Sequence, residues 1–65
     1  MTDYWPDLTL LPKGWRIAHI AWEDGCALVM LERDRDDAEA YSSANHRTPA
    51  GAFADAIAKA EDIGP

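Results

Sequence analysis

The chain reads as an α+β protein, a three-stranded antiparallel sheet with one C-terminal helix packed on one face. Three observations carry this. Two apolar runs, residues 15–22 and 26–33, flank an Asp24-Gly25 pair. Thr48-Pro49 opens an alanine-rich run that stops at Gly64-Pro65. A hairpin alone is marginally stable, so the segment between these units is expected to supply a third strand. With 65 residues the chain makes one domain, 1–65. Residues 1–13 form an irregular N-terminal segment, 14–46 the sheet and 48–63 the helix.

In the N-terminal segment Trp5, Leu8, Leu10 and Leu11 precede Pro12, an apolar set suited to covering one surface of the sheet. Asp-Gly between apolar runs predicts a two-residue type I′ turn, which needs positive φ at both central residues. That turn sets Glu23 opposite Cys26, Trp22 opposite Ala27, Ile20 opposite Val29 and Ala18 opposite Leu31. The other face then carries Trp15, Ile17, His19, Ala21, Leu28 and Met30, so both faces are apolar and both need cover. Residues 36–46 fit two readings, a helix capped by Asp36 or a third strand. In the strand, Ala38, Ala40 and Ser42 alternate with Glu39, Tyr41 and Ser43. The strand is preferred because it completes a sheet that a helix can cover.

The helix has the clearest signals. Thr48 is a favourable N-cap, and Pro49 at the first helical position loses only an N–H that has no partner there. Ala52, Phe53, Ala56, Ile57 and Ala60 make its apolar stripe, and Asp55 and Lys59 stand four apart on the outer side. Asp62 in the last turn opposes the helix dipole, which prefers a cation there. Phe53, Ile57, Ile20, Val29 and Leu31 are the expected core.

Twelve Asp and Glu against six Lys and Arg give a net charge of −6. A charge of that sign repels nucleic acid and anionic membranes, so neither is an expected partner. No apolar stretch approaches the roughly 20 residues a membrane span needs. The acidic start, Met-Thr-Asp-Tyr-Trp-Pro-Asp, is unlike a signal peptide. The single Cys26 excludes an internal disulfide, fits a reducing cytoplasm, and reads as a buried small hydrophobe. His19, His46 and Cys26 lack the spacing of a zinc site, so no metal or other cofactor is expected. Ser42 and Ser43 lie near His46, but no nucleophile elbow or phosphate loop exists, and no enzyme is expected.

The acidic run is the candidate site. Five of the twelve carboxylates, Glu32, Asp34, Asp36, Asp37 and Glu39, fall within residues 32–39. In extended backbone, alternate residues from Glu32 to Asp36 would project from one face about 6.6 Å apart, near the spacing of phosphates along a nucleic-acid strand. Glu23 and Asp24 mark the other end of the hairpin. The plainer reading is a solvated turn. Trp5, Trp15 and Trp22 offer a second surface; the expectation is that two are core and one covers a sheet edge.

Gly14-Trp15, Asp24-Gly25 and the run Thr48-Pro49-Ala50-Gly51-Ala52-Phe53-Ala54-Asp55-Ala56-Ile57 follow a pattern of small phage proteins. With its acidity and size, the chain resembles the small phage-encoded anti-CRISPR proteins, those acting on type I systems in particular. The resemblance spans residues 14–63. It implies a non-enzymatic inhibitor in the cytoplasm of a bacterial host, binding a basic nucleic-acid surface of a CRISPR effector subunit as a DNA mimic. The alternative is an assembly module that binds a protein partner through its tryptophan-bearing surface.

Overall fold

The computed structural model describes residues 4–64, so the readings of residues 1–3 and of Pro65 lie outside the described residues. Strands β1 (Trp15–Glu23), β2 (Cys26–Arg33) and β3 (Glu39–Tyr41) form an antiparallel sheet in the order β1-β2-β3. Helix α1 (Pro49–Ile63) follows. The expected α+β architecture is present.

Asp24 and Gly25 turn the hairpin with φ of 51° and 79°, as a type I′ turn requires. From Glu23–Cys26 to Ile20–Val29 the register is the expected one, but beyond it Ile17, not Ala18, stands opposite Leu31. Ala18 is the extra residue of a β-bulge, which lets nine residues of β1 pair with eight of β2. Because side chains alternate, that one residue moves Trp15 and Ile17 from the expected outer face to the helix face. There Trp15 is buried and Ile17 packs against the core.

β3 resolves the two readings of residues 36–46 in favour of the strand. Its regular part is only three residues long. Ser42 prolongs the pairing: its N–H donates to Val29 O at 2.9 Å, and its Oγ accepts from Val29 N–H at 2.9 Å. Ala40 and Ser42 point inward and are buried, while Glu39, Tyr41 and Ser43 are exposed. The alternation is the expected one.

Thr48 Oγ1 accepts from Gly51 N–H at 3.1 Å and caps α1. Ala52, Phe53, Ala56 and Ala60 are buried along the stripe, facing Ala27, Val29, Leu31 and Ala40 of the sheet. Ile20 and Ile57, expected to be largely buried, are half-buried at the rim of this core. The physical reason is placement, since α1 lies over β2 and β3 and barely reaches β1. At the helix end, Arg33 Nη1 donates to Gly64 O at 2.7 Å. The cation that the last turn lacks in sequence arrives from β2, and so offsets the unfavourable position of Asp62.

The N-terminal segment corrects a second expectation. Tyr4 O accepts from Ala50 N–H at 2.9 Å, Trp5 meets Trp22 edge-to-face at 4.9 Å, and Leu11 joins the core margin. Trp22 is paired with buried Ala27, so this segment lies on the helix side, filling the part of that face beside β1. No described element covers the outer face. Cys26, read as buried, is therefore exposed there, in the last pair of the hairpin.

Asp55 ties α1 to the loop before it. Its Oδ2 accepts from Ser43 N–H at 2.8 Å and lies 2.9 Å from His46 Nε2 and 3.4 Å from Lys59 Nζ. The Ser43 bond, then the His46 contact and Lys59, hold this carboxyl well below the ordinary range. Arg33, helped by Ala38 N–H, lowers Asp36 to about 2. A carboxyl whose folded pKa is depressed adds stability above its unfolded value and loses it as pH falls towards the folded value. Thermal melts are therefore expected to be steady near neutrality with respect to these groups and to fall below about pH 4. Asp55→Asn should melt lower than wild type near neutrality and decline less steeply in acid. Parallel curves for the two proteins would remove Asp55 from the account.

Candidate partner-binding surface

The outer face of the sheet is built from the strand residues that point away from α1. β1 supplies Arg16, His19, Ala21 and Glu23; β2 supplies Cys26, Leu28, Met30 and Glu32; β3 supplies Glu39 and Tyr41. Its middle is apolar, through Ala21, Leu28, Met30 and Tyr41, and its ends are charged.

β2 stops at Arg33, so the extended row of Glu32, Asp34 and Asp36 is not formed. The chain must reverse to reach β3, and it does so by bonding Asp37 N–H to Arg33 O and Ala38 O to Arg33 N–H, each at 2.8 Å. Asp37 adopts a left-handed φ of 57°, which Asp tolerates better than most residues. The turn gathers the carboxylates instead of spacing them. Arg16 Nη1 meets Asp34 Oδ1 at 2.5 Å, and Nη2 meets Glu32 Oε1 at 2.6 Å and Asp37 Oδ1 at 3.5 Å. Glu39 stands directly opposite Glu32 and accepts from Tyr41 O–H at 2.9 Å.

Glu32, Asp34 and Asp37 are thus brought together around one guanidinium, with Glu39 beside Glu32 on the neighbouring strand. Four negative charges against one positive leave three uncompensated. The Tyr41 hydroxyl senses this: its pKa is raised, first by the Glu39 bond, then by desolvation and the charges of Glu39 and Glu32. Glu23 shares the face at its far end, and Asp24 sits in the hairpin turn; neither has an ion pair among the described residues. Asp36 departs from the group. It turns to the helix side, where both its oxygens accept from Arg33 at 2.9 Å and Arg33 stacks over Trp15 at 5.3 Å.

Arg16, the hub of the cluster, was not among the expected site residues. The register set by the turn alone would place it opposite Arg33; the bulge at Ala18 brings it opposite Glu32, so its only signal in the sequence was the break of alternation in β1. The tryptophans also divide differently from the expectation. Trp15 is core, whereas Trp5 and Trp22 are 51 % and 49 % exposed and meet edge-to-face, with Tyr4 edge-on to Trp5 at 4.9 Å. Two large rings remain at the surface because the narrow helix, with alanines along its stripe, covers only part of the sheet.

Among the described residues no group of three or more His, Cys, Asp or Glu is arranged to hold a metal ion. No described helix is long and apolar enough to cross a membrane. Comparison with protein families, characterised proteins and solved structures gives no match to this chain.

Proposed function

We propose that this chain is a non-enzymatic binding protein that lays the open, acidic face of its sheet on a basic surface of a protein partner. The carrying observation is the grouping of Glu32, Asp34 and Asp37 around a single arginine, with Glu39 opposite Glu32, on the face α1 leaves uncovered. Folding alone gives little reason for that group. Exposed ion pairs contribute little stability, and carboxylates placed directly across strands, as Glu32 and Glu39 are, oppose pairing. A basic groove made for nucleic acid would attract it strongly, with the apolar middle of the face closing the contact. The anti-CRISPR resemblance names the partner class, a nucleic-acid-binding subunit of a bacterial CRISPR effector met in the cytoplasm. The role is a DNA mimic with a clustered rather than linear charge pattern.

Asp34→Asn, Asp37→Asn and Glu39→Gln combined should leave the fold intact, since these side chains are exposed. A partner captured from bacterial lysate on the wild type should be displaced by DNA and released as salt rises. The triple variant should bind about tenfold more slowly at low salt, because a charged rim steers encounter more than it holds the complex. Equal on-rates and an unchanged salt slope would rule out the acidic face.

The exposed Trp5–Trp22 pair favours a second reading, an assembly module anchored on its aromatic surface. Paired, half-exposed rings suit an interface hot spot. In that case Trp22→Ala would abolish capture at any ionic strength, and the triple acidic variant would not.

A further inference from the structure

One part of this acidic molecule is basic. A cavity of about 290 Å³ lies between the start of β1, the end of β2 and the residue after α1, with Lys13, Trp15, Arg33, Arg35 and Gly64 on its walls. Three of the six Lys and Arg line it, in a chain with twelve Asp and Glu. Asp34, the carboxylate on its rim, is already bonded to Arg16 at 2.5 Å.

Arg33 is held in place by Asp36, by Gly64 O and by the ring of Trp15. Of the five N–H groups of a guanidinium, three are used in these bonds, leaving two. Lys13 and Arg35 take part in no hydrogen bond or ion pair among the described residues. Lys13, Arg35, whose charge also acts on Asp36, and a guanidinium with two unused donors therefore line one largely apolar space.

We propose that this cavity binds the phosphate group of a small phosphomonoester. A phosphate monoester carries about −1.5 to −2 charge at neutral pH and has three strong acceptor oxygens, which match Lys13, Arg35 and the two remaining Arg33 donors. The volume lies near the lower end of ligand pockets, roughly 300–1,000 Å³, so the phosphate and a small organic group fill it. Trp15, with the aliphatic stems of Lys13 and Arg35, gives the organic group an apolar wall. Because the whole chain is anionic, only such a local reversal of sign can hold an anion. The site shares only Asp34, on its rim, with the acidic face and does not depend on that face's role.

Amide NMR titration of the full chain tests this with phenyl phosphate, inorganic phosphate and sodium chloride at matched ionic strength. Phenyl phosphate should give saturable shifts at Gly14, Trp15, Arg35 and Gly64, and chloride should not. Lys13→Gln combined with Arg35→Gln removes two exposed side chains outside the core and should weaken binding about tenfold while the remaining spectrum stays folded. Unchanged affinity in that variant, or the same shifts with chloride, would overturn the site. Inorganic phosphate binding as tightly as phenyl phosphate would overturn the monoester.

Discussion

Phe53→Ala is expected to leave the chain largely unfolded at room temperature. Phe53 is 2 % exposed and lies in the middle of the helix stripe, between Ala52 and Ala56, against Val29 and Leu31. It is the largest fully buried side chain, and its neighbours along the helix are alanines that cannot expand into the space it leaves. Truncating a buried phenylalanine costs about 3–5 kcal/mol, the lost burial plus the cavity. At about 0.05–0.15 kcal/mol per residue, the whole fold holds only roughly 3–10 kcal/mol. Circular dichroism melts should show the helix signal weakened and cooperativity lost. Phe53→Leu, which refills much of the volume, should melt between the two. A Phe53→Ala protein melting within a degree or two of wild type would mean that the helix packs on the sheet through other residues.

Inserting one alanine beside Ala18 should be as damaging, although the Ala18 side chain is exposed. The Asp24-Gly25 turn anchors the register at the far end of the hairpin, so an extra residue at the bulge shifts only residues 15–18. With the bulge kept at one residue, Ala18 would stand opposite Leu31 and Arg16 opposite Arg33 on the helix face, and Trp15 and Ile17 would point to the outer face. Losing the burial of two large apolar side chains costs about 1.5–3 kcal/mol each, and an unpaired buried cation adds to that. Deleting Ala18, which leaves Ile17 opposite Leu31 and Trp15 opposite Arg33 in a regular strand, should by contrast retain the fold. The comparison is made by amide spectra: the insertion should collapse the dispersion, the deletion should not. A well-dispersed spectrum for the insertion, with Trp15 still protected, would show that the strand loops out the extra residue.

That bulge marks the limit of what was legible. The hairpin, its turn and the helix with its cap rest on local chemistry: positive φ at Asp24 and Gly25, a side-chain acceptor at Thr48, and a ring-fixed φ at Pro49. The phase of β1 also left a trace, because Trp15 and Ile17 alternate in one phase and Ile20 and Trp22 in the other. Read as a break in the period of two, that jump locates the extra residue between 17 and 20. Read as one uninterrupted strand, it sends Trp15 to the wrong face. For the acidic run the identity of the residues was plain and their arrangement was not. The return from β2 to β3 needed a turn whose backbone bonds decide where each carboxylate points.

By itself, then, the sequence determined the elements, the turn, the cap, the inward alternation of β3 and an excess of negative charge, since each follows from neighbours within a few residues. Tertiary structure alone decided which sheet face stays open, that Arg16 gathers Glu32, Asp34 and Asp37, that Arg33 takes Asp36 and caps the helix, and that Trp5 and Trp22 meet at the surface. Those outcomes join residues from separate elements. They depend on how far a helix striped with alanines spreads over the sheet and on one inserted residue in β1, and neither acts until the chain is packed.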